Sequence, residues 1–563
     1  MTDGRERAAW RRAPGLGVAA LALAASAAGL ANGFAYDDLP VIVQNPRLHD
    51  LHRIGRVAIE SYWPPQFGGT LYRPLTSTLF ALEWAVGRGS ALPFHVMSVA
   101  LYVAAALAVY ALASRILPRG AAWLAAAVFA VHPVHVEAVA NVVGQSELIV
   151  TLAVVGAVAI YIARRAADPA RPVSRRDSAL LAALYAVACL AKEHGIVLPA
   201  LLLAAEGTVL RTGTTWRART RLLWPLALSL GGVGIAYLAL RGAILHGVVG
   251  EAPTIAFRQA GWGTRWWTML GVVPEWVRLL VWPAHLAAVY SPPATPVRDA
   301  ADPAALLGLL LLIAVGALAI LMRRRSPVLT FGIAWAAVAL LPVSNLIVRS
   351  GVLLAERTLF LPSVGAVIAF GAAAAVVRER LRAAGPRPLR MAEAGVGILL
   401  LAGVGRSAGR QGVWRDDPTL FVQSVVDEPF SYAAHFAYAD WSFMTGHWET
   451  GEREGRFALR LYDGDPRLVN RMGTQYFAAG RCDIAVPLLR RALVLVPSFP
   501  DARVDLATCL ERAGDWAALR PVAADGLARG ANVSYYRSLL AQTDSADGAS
   551  AAPGARSGRR GGA

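Results

Sequence analysis

The sequence predicts an all-α chain in two bodies, a polytopic membrane helical domain followed by an α-solenoid of helical repeats. Three observations predict it. Apolar runs near the bilayer-spanning length recur from residue 15 to about residue 405. Arginines cluster in every second connection between those runs. Beyond residue 405 the hydropathy drops, and Gly446, Gly480 and Gly514 recur at a spacing of about 34 residues. The bulk composition agrees: 563 residues, 56% hydrophobic and 17% charged, with mean hydropathy +0.46. That is too apolar for a soluble globule of average composition.

The basic clusters set the expected topology. They include Arg5, Arg7, Arg11 and Arg12; Arg115 and Arg119; Arg164, Arg165, Arg171, Arg175 and Arg176; Arg323 to Arg325; and Arg378 to Arg390. Taken as cytoplasmic, they organise about eleven spans between residues 16 and 405, with the N-terminus inside and the C-terminal domain outside. The net charge of +17 therefore reports topology, and nucleic acid is not an expected partner. Residues 262–286 are apolar enough for a further span, but counting them would put Arg323 to Arg325 outside. Trp262, Trp266, Trp267, Trp276 and Trp282 with Arg265 and Arg278 suit a helix lying in the membrane interface instead. The first apolar run also reads as a cleavable signal segment; either way the residues after it lie outside.

Those residues are Ala35 to Asn45, "AYDDLPVIVQN", which open the first outer loop (34–92). Asp37 and Asp38 sit where a span ends. A carboxylate pair there either terminates the helix or does chemistry. The rest of the loop holds Trp63-Pro64-Pro65, Gly68-Gly69 and "YRPL" at Tyr72–Leu75, turn formers that exclude one continuous helix and suit a site wall.

Further candidates fall at the same side of the membrane. His132, His135 and Glu137, in "HPVHVEAV", close the third span. Two imidazoles and a carboxylate could ligate a divalent metal, Mg or Mn, or bind phosphate or a sugar hydroxyl. Gln145 and Glu147 open the next span, Lys192 (the one lysine) and Glu193 end the fifth, and Glu356 and Arg357 lie between the ninth and tenth. Each pair alone reads as an internal ion pair. Together, acids with Lys, Arg and His at one boundary suit an anionic head group, with a carboxylate handling a proton.

The soluble part, 406–542, reads as tetratricopeptide-like repeats. The clearest unit is "GTQYFAAGRCDIAVPLLRRALVLVP", with Gly473, Gly480, Ala485, Ala492 and Pro497 at the repeat offsets. Three helix pairs would make a short solenoid with a concave binding face. Cys482 and Cys509 leave a disulfide open, Cys189 lies in a span, and the tail 543–563 is low in complexity and expected to be disordered.

Six motifs then occur in a fixed order: "YDD…N" at Tyr36–Asn45, "YRPL" at Tyr72–Leu75, "HPVHVEAV…G.SE" at His132–Glu147, "KE.G" at Lys192–Gly195, "ER.LFLPS" at Glu356–Ser363 and "W.D…LF" at Trp414–Phe421. In this order they resemble the transmembrane and tetratricopeptide-repeat proteins, glycosyltransferases of the C superfamily, over residues 34 to about 530. The resemblance implies a glycosyltransferase C-like membrane domain (1–405). It implies transfer of a sugar, typically mannose, from a polyprenyl-phosphate carrier to a hydroxyl on the outer face. It makes Asp37 or Asp38 the general base. Lys192, Arg357 and the His132/His135 pair would contact the phosphate, with Tyr72, Arg73, Glu137, Gln145, Glu147, Glu193 and Glu356 completing the substrate-contacting set. Relatives often have "GR" where this chain has Gly144-Gln145. The alanine-rich, lysine-poor composition suggests a bacterium, hence an inner membrane with the repeats in the periplasm holding an acceptor polypeptide or glycan. The competing classes are a non-catalytic membrane scaffold whose repeats do the work, and a transporter for the lipid-linked sugar, which would call for internal repeats among the spans.

Overall fold

Each apolar run of the sequence forms a helix, and the described chain contains no strand. The structure is a computed structural model that describes residues 2–210, 215–247, 255–258, 260–530 and 532–551. It divides into two compact units, Met1–Pro429 and Phe430–Ala563.

In the first unit, α1 (Thr2–Ser26) leads into the long first loop, which carries α2 (Ile54–Val57) and α3 (Pro74–Gly87). Then follow α4 (Leu92–Ile116), α5 (Arg119–Val131), α6 (Val136–Ala140), α7 (Gln145–Ala167), α8 (Arg175–Ala191), α9 (Leu198–Gly207) and α10 (Trp216–Leu245). The unit closes with α11 (Trp262–Val281), α12 (Pro303–Met322), α13 (Pro327–Leu340), α14 (Phe360–Ala384), α15 (Pro386–Gln411) and α16 (Asp417–Asp427).

The expectation of eleven full spans needs correction. Among the described residues, seven helices are long and apolar enough to cross a membrane alone, and eight if the bent pair Arg119–Val131 with Pro133–Ala140 counts as one. A spanning helix needs about 20 residues. The helices at the fifth, sixth and ninth expected positions are shorter: α8 has 17, α9 has 10 and α13 has 14. The 49° bend between α5 and α6 has a local cause. Pro133 cannot donate to the helix ladder and pushes His132 to extended backbone, φ −72°, ψ 118°.

Small residues let the helices cross closely. A Cβ on Gly332 would sit 2.5 Å from the carbonyl oxygen of Gly365, and one on Gly365 would sit 2.4 Å from that of Gly332, so α13 and α14 touch backbone to backbone. Helix α11, the segment expected to lie in the interface, is amphipathic: Met269, Val272, Val273 and Trp276 are buried, while Trp262, Trp266 and Trp282 are exposed. The arginine-rich turns and the site candidates occupy opposite sets of helix ends, since the turns join α4 to α5, α7 to α8, α12 to α13 and α14 to α15. Arg165 at the end of α7 and Arg219 near the start of α10 do more than mark a side. Arg165 is buried with its Nε 2.9 Å from Glu206 Oε1, Arg219 lies 3.5 Å from the same carboxylate, and the Tyr161 hydroxyl donates to it over 2.7 Å.

The second unit is three helix pairs, α17 (Tyr432–Met444) with α18 (Trp448–Leu461), α19 (Pro466–Ala478) with α20 (Cys482–Leu495) and α21 (Pro500–Ala513) with α22 (Trp516–Ala528), followed by α23 (Val533–Ala551). The recurring glycines sit in the turn inside each pair with left-handed backbone, φ +82° at Gly446, +74° at Gly480 and +64° at Gly514. A side chain there would cost strain, which accounts for the period. Cys482 and Cys509 form a disulfide that ties α20 to α21. This unit starts at Phe430 rather than residue 406, because α15 runs on to Gln411 and the segment to α16 packs on the first unit: the Gly33 N–H donates to Arg415 O over 2.9 Å. The tail expected to be disordered begins inside α23, and its residues 552–563 lie outside the described residues.

Candidate functional site

The aspartate doublet follows a short 3₁₀ turn, Ala27–Ala31, at the end of α1. Tyr36 adopts left-handed backbone, φ +56°, a strained state for a bulky residue. Its N–H donates to Asp417 Oδ1 over 2.7 Å, and its ring meets Phe421 edge-on at 6.3 Å. The Trp414–Phe421 motif, which the sequence leaves without a role, holds the turn that carries the doublet.

The two aspartates part company. Asp38 is fully buried, and its oxygens accept the N–H groups of Ala35, Val142 and Val143 at 3.3, 3.3 and 2.9 Å. It staples the first loop to the start of α7. Burial pushes its carboxyl up to about 8, although those three N–H groups pull the other way. Asp37 keeps 19% of its side chain exposed and sits 3.5 Å from the Arg357 guanidinium. Burial raises its carboxyl above the usual value, while Arg357, Arg73 and Lys192 draw it down. Arg357 thus pairs with a reachable carboxylate on which Arg73 and Lys192 also act electrostatically.

Each cation is fixed by its own acid. Arg357 Nη1 lies 2.6 Å from Glu137 Oε1, and its backbone N–H donates to Oε2 of the same carboxylate over 2.8 Å. Lys192 pairs with the buried Glu147, which His194 also approaches at 3.5 Å. Arg73 clasps Glu193 with two hydrogen bonds of 3.0 and 2.6 Å and lies over the Tyr62 ring at 5.0 Å. Burial raises Glu193, but Arg73 first and then Lys192 and His194 hold it well below the usual carboxylate range. Gly195 makes the Lys192 turn possible, since a Cβ there would meet the Ala188 carbonyl carbon at 2.4 Å.

Other sequence candidates are placed away from this cluster. Tyr72 is buried and donates to Ala58 O over 2.9 Å. Gln145 is buried and donates to Glu83 Oε1 and Phe94 O over 2.9 and 3.0 Å. Glu356 turns from Arg357 and accepts the Ala287 N–H at 2.6 Å and the Tyr290 hydroxyl at 2.9 Å. His135 lies among Phe129, Tyr102 and Phe360, within hydrogen-bond distance of the Tyr102 and Ser363 hydroxyls at 3.2 and 2.9 Å. His132 Nε2 is 3.1 Å from Leu280 O.

His132, His135 and Glu137 are the sequence's candidate ligands for a divalent metal ion. Among the described residues no three His, Cys, Asp or Glu side chains gather to hold one. Both histidines and Glu137 are already partnered, Glu137 by Arg357.

The fold and site define a multi-pass membrane protein, all-helical, with a buried ion-pair cluster at one end of its bundle and a helical-repeat unit after it. Comparison with known proteins narrows the class. No family model matches the chain. A protein O-mannosyl-transferase of Caenorhabditis elegans is 22% identical over 72% of this chain and 56% of its own length. The human protein O-mannosyl-transferases TMTC4 and TMTC1 are 26% and 25% identical, over 74% and 82% of this chain and 62% and 58% of their own lengths. The chain thus spans about half the length of the curated relatives it matches. The activity in their names is the one the resemblance of the six motifs implies.

Proposed function

We propose that this chain is a membrane glycosyltransferase that moves a sugar, mannose by likeness to its relatives, from a polyprenyl-phosphate donor to a hydroxyl of a protein or glycan acceptor. The observation that carries the reading is Asp37: a reachable carboxylate paired with Arg357 and drawn down by Arg73 and Lys192, three cations each held by its own acid. As general base it takes the acceptor hydroxyl proton as that oxygen bonds to the anomeric carbon. The bond from that carbon to the phosphate oxygen breaks, and the electron pair leaves with the lipid phosphate. Arg357, 20% exposed and held by Glu137, is the cation best placed to take up that charge. Asp38 is a positioning residue, since its oxygens are committed to backbone.

The arginine-rich turns support a cytoplasmic N-terminus with the site on the opposite face, and the Cys482–Cys509 disulfide supports an oxidising compartment such as the periplasm for the repeats. The repeats would hold the acceptor. A scaffold reading is favoured by one observation, that Arg73, Lys192 and Arg357 each already have a carboxylate partner, as structural ion pairs do. The test is transfer of labelled sugar from a polyprenyl-phosphate sugar in nanodiscs. Transfer abolished by Asp37→Asn supports the enzyme; no transfer from any such donor by the wild type leaves the scaffold.

A further inference from the structure

A cavity of about 300 Å³ opens in the first unit between α11 and the segment that follows it, and the site around Asp37 uses none of its walls. Glu275 and Arg278 come from α11, His285, Tyr290, Thr295 and Arg298 from the following segment, and Glu428 from the end of α16. The volume is at the lower end of the roughly 300–1,000 Å³ typical of ligand sites.

The charges are of both signs and already matched. Arg278 Nε lies 2.7 Å from Glu275 Oε2, His285 Nε2 lies 3.4 Å from Glu428, and Arg298 Nη1 lies 2.6 Å from Asp302. Asp302 in turn caps α12 by accepting the N–H groups of Ala304 and Ala305, so Arg298 is anchored to a rigid end. The Nε of Arg298 is nevertheless buried without a partner. Gly271 makes room for this arginine, since a Cβ at 271 would sit 2.1 Å from Arg298 Cδ.

An anion in this cavity would face Glu275 and Glu428, and a cation would face Arg278 and Arg298. A neutral, hydroxyl-rich ligand opposes neither, because each hydroxyl can donate to a carboxylate and accept from a guanidinium. Thr295 adds a neutral hydroxyl to the same wall, and Tyr290 lines it with its own hydroxyl already donated to Glu356. We infer that this cavity is a second ligand site, for a neutral saccharide unit, built by α11 and residues 285–298 and separate from the Asp37 cluster. Tyr290 donates to Glu356, which precedes Arg357 in the chain, so one hydrogen bond connects this cavity to the backbone that carries Arg357. The binding itself stands whether or not Asp37 is a base.

The experiment uses the full chain in nanodiscs and saturation-transfer NMR with methyl mannoside, N-acetylglucosamine and their disaccharides, with inorganic phosphate as the anionic probe. A saccharide signal is expected in the wild type and in Asp37→Asn. Arg298→Met and Glu275→Gln should each weaken binding about tenfold, the loss of one hydrogen bond to a charged group. Ala294→Trp, at an exposed lining position, should fill the cavity and remove the signal, with an unchanged melting curve reporting a folded chain. Absence of signal from every saccharide overturns the inference. So does loss of signal in Asp37→Asn, which would assign the binding to the other site, or displacement of the saccharide by phosphate.

Discussion

Replacing Asp37 and Asp38 by asparagine one at a time separates chemistry from architecture, because the two carboxylates differ in what their oxygens touch. Asp37 faces Arg357 and keeps a fifth of its surface open. Losing a general base costs about 10²–10⁴ in rate, or roughly 3–5 kcal/mol of barrier. Asp37→Asn should therefore cut sugar transfer by that factor with no change in melting. Asp38 takes three N–H groups. An asparagine offers one oxygen and turns an NH₂ toward donors, which leaves at least one N–H unmet and destabilises by about 1–3 kcal/mol. That variant should melt earlier and keep transfer per folded molecule within a few-fold of wild type. A pH series adds a sign. Asp37 works as the carboxylate, so transfer rises as pH climbs through its raised value. Arg357 lowers that value, so Arg357→Gln should move the acid limb to higher pH. The assay is initial-rate transfer of labelled sugar in nanodiscs from pH 4 to 9, beside thermal melts. Transfer by Asp37→Asn within threefold of wild type, or Asp38→Asn behaving as the rate-deficient variant, would refute the assignment.

Three further outcomes are expected. Glu206→Ala removes the buried partner of Arg165 and Arg219 and should destabilise by about 3–5 kcal/mol, the cost of stranding a buried charge, seen as a lower melting temperature in detergent. Burial pushes Glu83 up to about 8, so the folded chain holds its proton where the unfolded chain releases it. The stability this contributes is complete below about pH 4.5 and is lost as pH rises to about 8. On the order of 3–5 kcal/mol is involved, and Glu83→Gln should flatten that part of the melting temperature's pH dependence. Removing the disulfide with Cys482→Ser and Cys509→Ser releases a link 27 residues apart and should cost about 3 kcal/mol, read as faster hydrogen exchange in α20 and α21 of the full chain.

Helices and repeats were legible because their signals are local. A run of apolar residues must satisfy its own backbone in lipid, so it becomes helix wherever it packs. A glycine every 34 residues marks a turn that needs positive φ, and Gly446, Gly480 and Gly514 all have it. The break after His132 was not foreseen, although Pro133 signals it. Hydropathy measures apolarity and misses where a helix stops, so it predicts full spans at the short α8 and α9.

Chain order and charge placed Asp37, Glu137, Glu147, Lys192 and Arg357 at one end of the helices. Their partners were beyond its reach. Arg357 meets Glu137 across 220 positions of sequence and Asp38 meets Val143 across 105, and such distances close only when helices pack. The one-dimensional pattern therefore determined which side chains share a boundary. Packing decided that His135, Gln145 and Tyr72 turn inward, that Asp38 is spent on backbone, and that Asp37 is left reachable, since most buried polar groups must find a partner wherever the packed helices bring one.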